Sequence, residues 1–505
     1  MPQPRPNILL ITSDQQHWNT LGVTNDQIRT PHLDRLVREG MHLERAYCNN
    51  PTCSPSRSTI ITGLYPSWHH CWALGTKLPE DVPTVGEIFQ QHGYHTSLIG
   101  KAHFQPLAST AEQSSLECQP KLRDLEFWRN FHGPWYGFAH VEVARNHADE
   151  SHVGQHYAIW MEKNGLKDWR RYFAPWPPTA DAPKREHRWD LPEEFHYSAW
   201  TAERTIADIE RATSEGKPFF TWASFQDPHP PYLVPEPWAS MYRPEDMRPG
   251  TLLPDELDRM PPCFRATQDD APDFAAWQET PHPNHGLHSQ KHDVNQLRAN
   301  MAVYYGMVSL MDQQIGRILA ALDRLGIAEN TLVVFTTDHG HFLGEHGLIA
   351  KGPFHYEPMV RIPMAVRFPG RVPAGSTSRS LQALIDLPET FLSAAGIDVP
   401  GHMQGVSQFD VWCGHAKRAR EQVIVENRHQ PAKLHLRSYI DDRYKLTIHR
   451  DQPYGELFDL VEDPEERHNR WDDAGYADVK AALLHRCLNA ELQREPTRFS
   501  RIAVA

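Results

Sequence analysis

Four short apolar runs punctuate the chain, and each ends in polar residues: NILLITSD (7–14), HTSLIGKAH (95–103), KPFFTWASFQDPH (217–229) and TLVVFTTDHG (331–340). Runs this apolar, rich in β-branched and aromatic residues, predict strands covered on both faces of a sheet. Helical patterns lie between them. The clearest is NQLRANMAVYYGMVSLMDQQIGRILAALDRLG (295–326), where apolar residues recur every three or four positions and Gly326 supplies a stop. Strand–helix alternation predicts an α/β fold with a large, mostly parallel sheet sandwiched by helices.

After residue 400 the pattern changes. REQVIVENR, KLHLRSYIDDRYKLTIHR and GELFDLVEDPEE predict short strands joined by polar turns, with Asp441-Asp442 at a hairpin, and a helix follows near 476–494. A chain of 505 residues also exceeds what one compact core usually carries. We therefore expect a large unit over residues 1–400 and a small subdomain over 401–505 built on an antiparallel sheet. Two stretches of the large unit resist the sheet pattern and are expected as insert loops. Residues 105–200 hold seven of the fifteen tryptophans, among them Trp128, Trp135, Trp160 and Trp176, and residues 230–290 are rich in proline and histidine. Two readings stand for them: irregular surface structure pinned by aromatic packing, or loops that wall a pocket and offer rings for stacking.

Composition narrows the function classes. The net charge is -13, and no lysine- or arginine-rich run is present to track a phosphate backbone, which argues against nucleic acid as a partner. No apolar run approaches the roughly 20 residues that span a bilayer, so no membrane partner is expected. The N-terminal MPQPRPNILLITSDQQ reads as a strand with no small-residue cleavage site after it. Seven cysteines, far apart and odd in number, do not make a disulfide framework. Together these features point to the cytoplasm.

In α/β sheets ligands collect beyond the C-terminal ends of the strands. All four runs place chemistry there: Asp14-Gln15, Lys101 with His103, Asp227 with His229, and Asp338-His339. Either acidic pair alone reads as a helix cap. Two pairs on separate strands favour a shared cation, with Gln15 adding an amide oxygen and His339 an imidazole. An all-oxygen set suits calcium or magnesium; one imidazole moves the preference toward manganese or zinc without excluding calcium. Cys53 stands in NNPTCSPSRSTIITG (49–63), where RSTIITG resembles a helix start. A lone cysteine is most often packing. At a helix N-terminus it is also positioned as a nucleophile whose developing anion meets free N–H groups, with Arg57 one turn further on.

CSPSR matches the Cys-x-Pro-x-Arg signature of the formylglycine-dependent sulfatases of the alkaline phosphatase superfamily. LYPSWHH, GKAHF, DPHPPY, TTDHGHFLGEHGLIAKGPFHYEP and GELFDLVEDPEE resemble further segments of that family, in family order, from residue 7 to about 467. The resemblance implies an alkaline-phosphatase-like fold and hydrolysis of a small-molecule sulfate ester. It implies conversion of Cys53 to Cα-formylglycine by a formylglycine-generating maturation enzyme, and one divalent metal, calcium first, held by Asp14, Gln15, residue 53, Asp338 and His339. By the same resemblance one hydroxyl of the hydrated aldehyde attacks sulfur and the other expels sulfate. Arg57 stabilises the diol, His103 takes a proton from its second hydroxyl, and Lys101 and Lys351 grip the sulfate oxygens. His229 protonates the leaving oxygen. Assembly as a homodimer or homotetramer is implied too. The pairs Asp14-Gln15 and Asp338-His339 depart from the Asp-Asp and Asp-Asn of many sulfatases and resemble the phosphonate monoester hydrolase branch. So does ALGTKLPEDVPT, except that Leu74 stands where that branch carries Asn. A phosphonate monoester or phosphodiester is therefore the alternative substrate.

Overall fold

The computed structural model describes residues 5–145, 152–175, 177 and 187–495. Its centre is an eight-stranded sheet of β1 (Asn7–Ser13), β2 (Met41–Leu43), β3 (His95–Gly100), β4 (His140–Val143), β5 (Phe219–Ser224), β6 (Thr331–Thr337), β7 (Ala365–Arg367) and β8 (Ser376–Ser378), in the order β8-β2-β7-β6-β1-β5-β3-β4. The four strands expected from the apolar runs are neighbours, β6-β1-β5-β3, and all are parallel. Only β7 runs against the rest, which makes the sheet mixed at one side.

Successive residues of a strand point to opposite faces, and β1 shows why its run is apolar throughout. Ile8 and Leu10 join one core with Leu98, Phe220 and Trp222; Leu9 and Ile11 join another with Phe219, Ala223, Val333 and Phe335. The second core is closed by the long helix expected near 295–326, which runs Val294–Arg324 and contributes Met311, Ile315, Ile318 and Leu322. Each such side chain contributes on the order of 1.5–3 kcal/mol by leaving water. Gly326, in the left-handed region at φ 68°, follows that helix.

The C-terminal part is a four-stranded antiparallel sheet of β9 (Val423–Arg428), β10 (His435–Ile440), β11 (Tyr444–His449) and β12 (Gly455–Asp459), followed by a helix over Ala477–Gln493. The Asp441-Asp442 hairpin is present, closed by a bond from the Asp441 N–H to the Tyr444 carbonyl at 2.9 Å. Val423, Val425, Tyr439, Ile440 and Leu457 belong to the same apolar cluster as Ile8 and Leu10. Among the described residues no helix is long and apolar enough to cross a membrane.

Residues 105–200 correct one expectation. Far from being only loops, they supply β4, an edge strand of the main sheet, and helices over Leu125–Asn130 and Gln155–Lys163. Trp128, Trp135, Trp160, Trp169, Trp189 and Trp200 are buried, and the last four share a cluster with Tyr157, Phe173 and Tyr197. Their rings are occupied in packing, which takes them away from ligand stacking. Trp176 lies outside the described residues. Residues 230–290 hold only one two-residue strand, Leu233–Val234, and helical segments of three or four residues, the longest Pro262–Arg265, in keeping with proline, which blocks ladder and helix hydrogen bonds.

Candidate active site

Cys53 is the first residue of a helix, Cys53–Thr62, whose every residue is buried. Pro55 fits its first turn because those N–H groups have no intrahelical acceptor. Gly63, at φ 66°, ends the helix. Arg57 lies four residues after Cys53 and so returns to the same side one turn along. Its Nε donates to Asp338 Oδ2 at 2.8 Å, and its Nη1 donates to the Lys101 carbonyl at 3.0 Å and Ser224 Oγ at 2.7 Å. Arg57 thus ties the Cys53 helix to the ends of three strands, and Asp14 Oδ2 lies 3.9 Å from its Nη2.

The parallel strands deliver the remaining groups. Asp14 follows β1, its N–H bonded to the Asp227 carbonyl at 2.9 Å. Asp338 and His339 follow β6. Lys101 follows β3 after Gly100, at φ 109°, where a Cβ would sit 1.9 Å from the Ser224 carbonyl oxygen; only glycine allows this approach of β3 to β5. Lys101 Nζ pairs with Asp14 Oδ2 and lies 3.9 Å from Cys53 Sγ. Lys351 Nζ lies 3.0 Å from Cys53 Sγ and 2.9 Å from His229 Nε2, and His229 Nδ1 donates to the Pro230 carbonyl at 2.5 Å. His339 Nε2 lies 3.1 Å from Cys53 Sγ, while its Nδ1 contacts the Gly340 carbonyl at 3.0 Å.

The donor set fits a metal ion. Ligand atoms of Asp14, Cys53, Asp338 and His339 all lie within 4.8 Å of one another, about the greatest separation of two ligands that each sit roughly 2.3–2.6 Å from one cation. All four are buried. Gln15 enters by its main chain, which donates to Asp338 Oδ1 at 3.0 Å, and its side-chain Oε1 is buried without a hydrogen-bond partner. A buried amide oxygen left unpaired is costly, and a cation accounts for it. Gln15 Nε2 is held by His341 Nδ1 at 2.9 Å; His341 stacks on Tyr304 at 4.5 Å between ring centroids and meets Tyr232 Oη through Nε2 at 3.0 Å. Since the amide donates to Nδ1, the imidazole proton sits on Nε2, and the amide oxygen is left facing away from His341. His341→Ala is accordingly expected to weaken metal binding about 10- to 100-fold, read by equilibrium dialysis against calcium and manganese. Unchanged metal content would remove the role.

Electrostatics favour an anion at residue 53. Burial and the Asp14 carboxylate push the Cys53 thiol up, but Lys101, Lys351 and His339 outweigh them and leave it below its ordinary value. Burial lowers Lys101 despite Asp14 and Cys53. His103 sits well below its usual range, first through burial and then through Arg145, Lys101 and Arg57.

The structure therefore brings Asp14, Gln15, Cys53, Arg57, Lys101, His229, Asp338, His339 and Lys351 together. His103 stands slightly apart. Its main-chain N–H donates to Glu117 at 2.8 Å and its Nε2 accepts from Arg145 Nη2 at 2.9 Å; neither bond reaches Cys53. Sequence reasoning missed Arg145, Glu117, His341, Tyr232 and Tyr304. His341 was visible in the DHGH segment. Arg145 follows β4, inside a stretch that gave no strand signal.

Residues 6–397 match the sulfatase family and residues 344–493 match the family described as N-sulphoglucosamine sulphohydrolase, C-terminal. An arylsulfatase of Clostridium perfringens is 28% identical over 503 residues, covering 97% of this chain and 95% of that protein. An N-acetylglucosamine-6-O-sulfatase of Bacteroides thetaiotaomicron is 26% identical over 502 residues, covering 95% and 85%. The crystal structure of a phosphonate monoester hydrolase of Agrobacterium radiobacter superposes with a TM-score of 0.77 at 25% identity, covering 97% of this chain and 96% of that one. Fold and site define a hydrolase of the alkaline phosphatase superfamily. The chain belongs to the sulfatase family.

Proposed function

We propose that this protein hydrolyses an organic sulfate ester with a formylglycine made from Cys53 as nucleophile and one divalent metal, calcium first, beside it. The observation that carries the reading is the convergence of Cys53, Lys101 and Lys351 over Asp14 and Asp338 at the N-terminus of a buried helix. Sγ of the unmodified residue stands for the oxygens of the hydrated aldehyde. Asp14, Gln15, Asp338 and His339 would hold the metal, which supplies Lewis acidity to the nucleophile and to the sulfate. Lys101 and Lys351, on either side of residue 53, balance charge on the sulfate oxygens as the bond to the leaving group breaks. Lys351 also touches His229 Nε2, which places His229 beside it to protonate or stabilise the leaving oxygen while Lys351 keeps its charge. Arg57 orients the site by anchoring Asp338. Cys53 is buried in the folded chain, which favours a maturation enzyme acting on CSPSR before folding is complete, whereas a small ester needs only local opening to reach the site.

A phosphonate monoester is the second reading, favoured by Gln15 and His339 at the metal and by the Agrobacterium structure. The two are separated by kcat/KM for 4-nitrophenyl sulfate against a phenyl phosphonate monoester. We expect the sulfate to lead by about tenfold or more, the equivalent of roughly 1.4 kcal/mol in transition-state stabilisation. A lead for the phosphonate would replace the first reading.

A further inference from the structure

Among the described residues, the clearest unsatisfied charge lies beside the catalytic cluster, outside the family-like motifs. Arg145 is 4% exposed and His103 6% exposed. Among the described residues no carboxylate lies within 4 Å of the Arg145 guanidinium. Its Nη2 donates to His103 Nε2 at 2.9 Å, and its Nε and Nη1 have no hydrogen-bond partner. With Nε2 accepting, the neutral His103 ring carries its proton on Nδ1, which is also buried without a partner. A fourth donor adjoins them: Gln155 takes the Arg145 N–H on Oε1 at 2.7 Å, and its Nε2 is buried and unpartnered. Glu117, bound to the main-chain N–H groups of His103 and Gln105, feels Arg145 only at longer range.

Burying an uncompensated guanidinium is expensive, and a water molecule that satisfied its N–H groups would leave the charge in place. An anion would satisfy both. Around the cluster, Arg57, Lys101, Arg145 and Lys351 outnumber the carboxylates Asp14, Glu117 and Asp338. His103, bonded to Arg145 at 2.9 Å, follows Lys101 by two residues, and Lys101 Nζ lies 3.9 Å from Cys53 Sγ, so the unpartnered donors neighbour the position of the scissile group.

We infer that Arg145, with His103 Nδ1–H and Gln155 Nε2, forms a receptor for a second anionic group of the substrate, a carboxylate or sulfate carried next to the ester that is cleaved. This rests on the sulfatase reading and narrows it to dianionic esters. It also recasts His103, whose Nε2 lone pair is taken by Arg145, as a donor to substrate.

The test compares phenyl sulfate with 2-carboxyphenyl sulfate. Wild-type enzyme is expected to favour the carboxylated ester in kcat/KM, and Arg145→Gln to reduce that preference about 10- to 100-fold, mainly through KM, as expected for losing charge-assisted hydrogen bonds. Arg145→Lys should retain part of it. The same pair of esters is titrated calorimetrically into the Cys53→Ala protein with and without Arg145→Gln. This arm needs no turnover, so it stands even if no sulfate ester is hydrolysed and the sulfatase reading fails. Without ligand, Arg145→Gln should melt no lower than wild type, since an uncompensated charge is removed. Equal losses on both esters, no preference in wild type, or a lower melting temperature with both affinities lost would each overturn the receptor.

Discussion

Changing Cys53 to alanine is expected to remove turnover, by about ten-thousand-fold or more, and changing it to serine to leave an enzyme that reacts once and stops. The alanine variant loses the nucleophile while Lys101, Lys351 and Asp14 remain to bind substrate, so affinity for the ester should survive. The serine variant keeps an oxygen at the helix N-terminus, and Lys101 and Lys351 still draw the sulfate onto it. Its product is a serine sulfate ester, and release then requires water to attack a crowded, negatively charged sulfur. A hydrated aldehyde avoids this because its second hydroxyl expels the sulfate from within. The measurement is intact-peptide mass spectrometry across residue 53. Mature wild type should be about 18 Da lighter than the cysteine form, and the serine variant about 80 Da heavier after exposure to 4-nitrophenyl sulfate. An unmodified thiol in fully active enzyme would overturn the formylglycine mechanism.

Much of this site was legible because its residues follow strands that announce themselves. β1, β3, β5 and β6 are buried on both faces, so their sequences are apolar until the sheet ends, and the first polar residues are the ones that meet in space. The helix that starts at Cys53 was legible for a different reason: Pro55 and Gly63 mark the two ends of a helix whose residues are all buried. The contact that orients the Gln15 amide, from His341, was not legible, because it joins side chains at two strand ends 326 residues apart in sequence. Nor was Arg145. β4 is only four residues long and carries His140 and Glu142, so its polar edge character hid it among loops. The tryptophans left two readings open for a related reason: composition reports that aromatic surface is present, but whether a ring is covered by other rings or left for a ligand depends on tertiary packing.

Asp338→Ala should be the most damaging change among the candidate metal ligands, because Asp338 both joins the donor group and holds Arg57 and two main-chain N–H groups. Its Oδ1 accepts the N–H groups of Gln15 at 3.0 Å and His339 at 2.9 Å, its Oδ2 accepts Arg57 Nε at 2.8 Å, and its carbonyl accepts Ser56 Oγ at 2.5 Å. Alanine keeps only the last. Arg57 would then be fully buried with its nearest carboxylate, Asp14, at 3.9 Å and already paired with Lys101. Removing one partner from a buried ion pair costs about 3–5 kcal/mol, so chemical denaturation should show a loss of that order even in metal-free protein. Bound metal should fall below detection by elemental analysis of dialysed protein, and turnover should fall with it. Asp338→Asn separates the two roles. Its amide oxygen still accepts one N–H, so the fold should lose less than in the alanine variant, but the charge that balances Arg57 and the cation is gone. Metal binding should therefore fail in both variants while stability differs. Retained stability in Asp338→Ala would show that Arg57 finds another partner, and retained metal in Asp338→Asn would remove Asp338 from the ligand set.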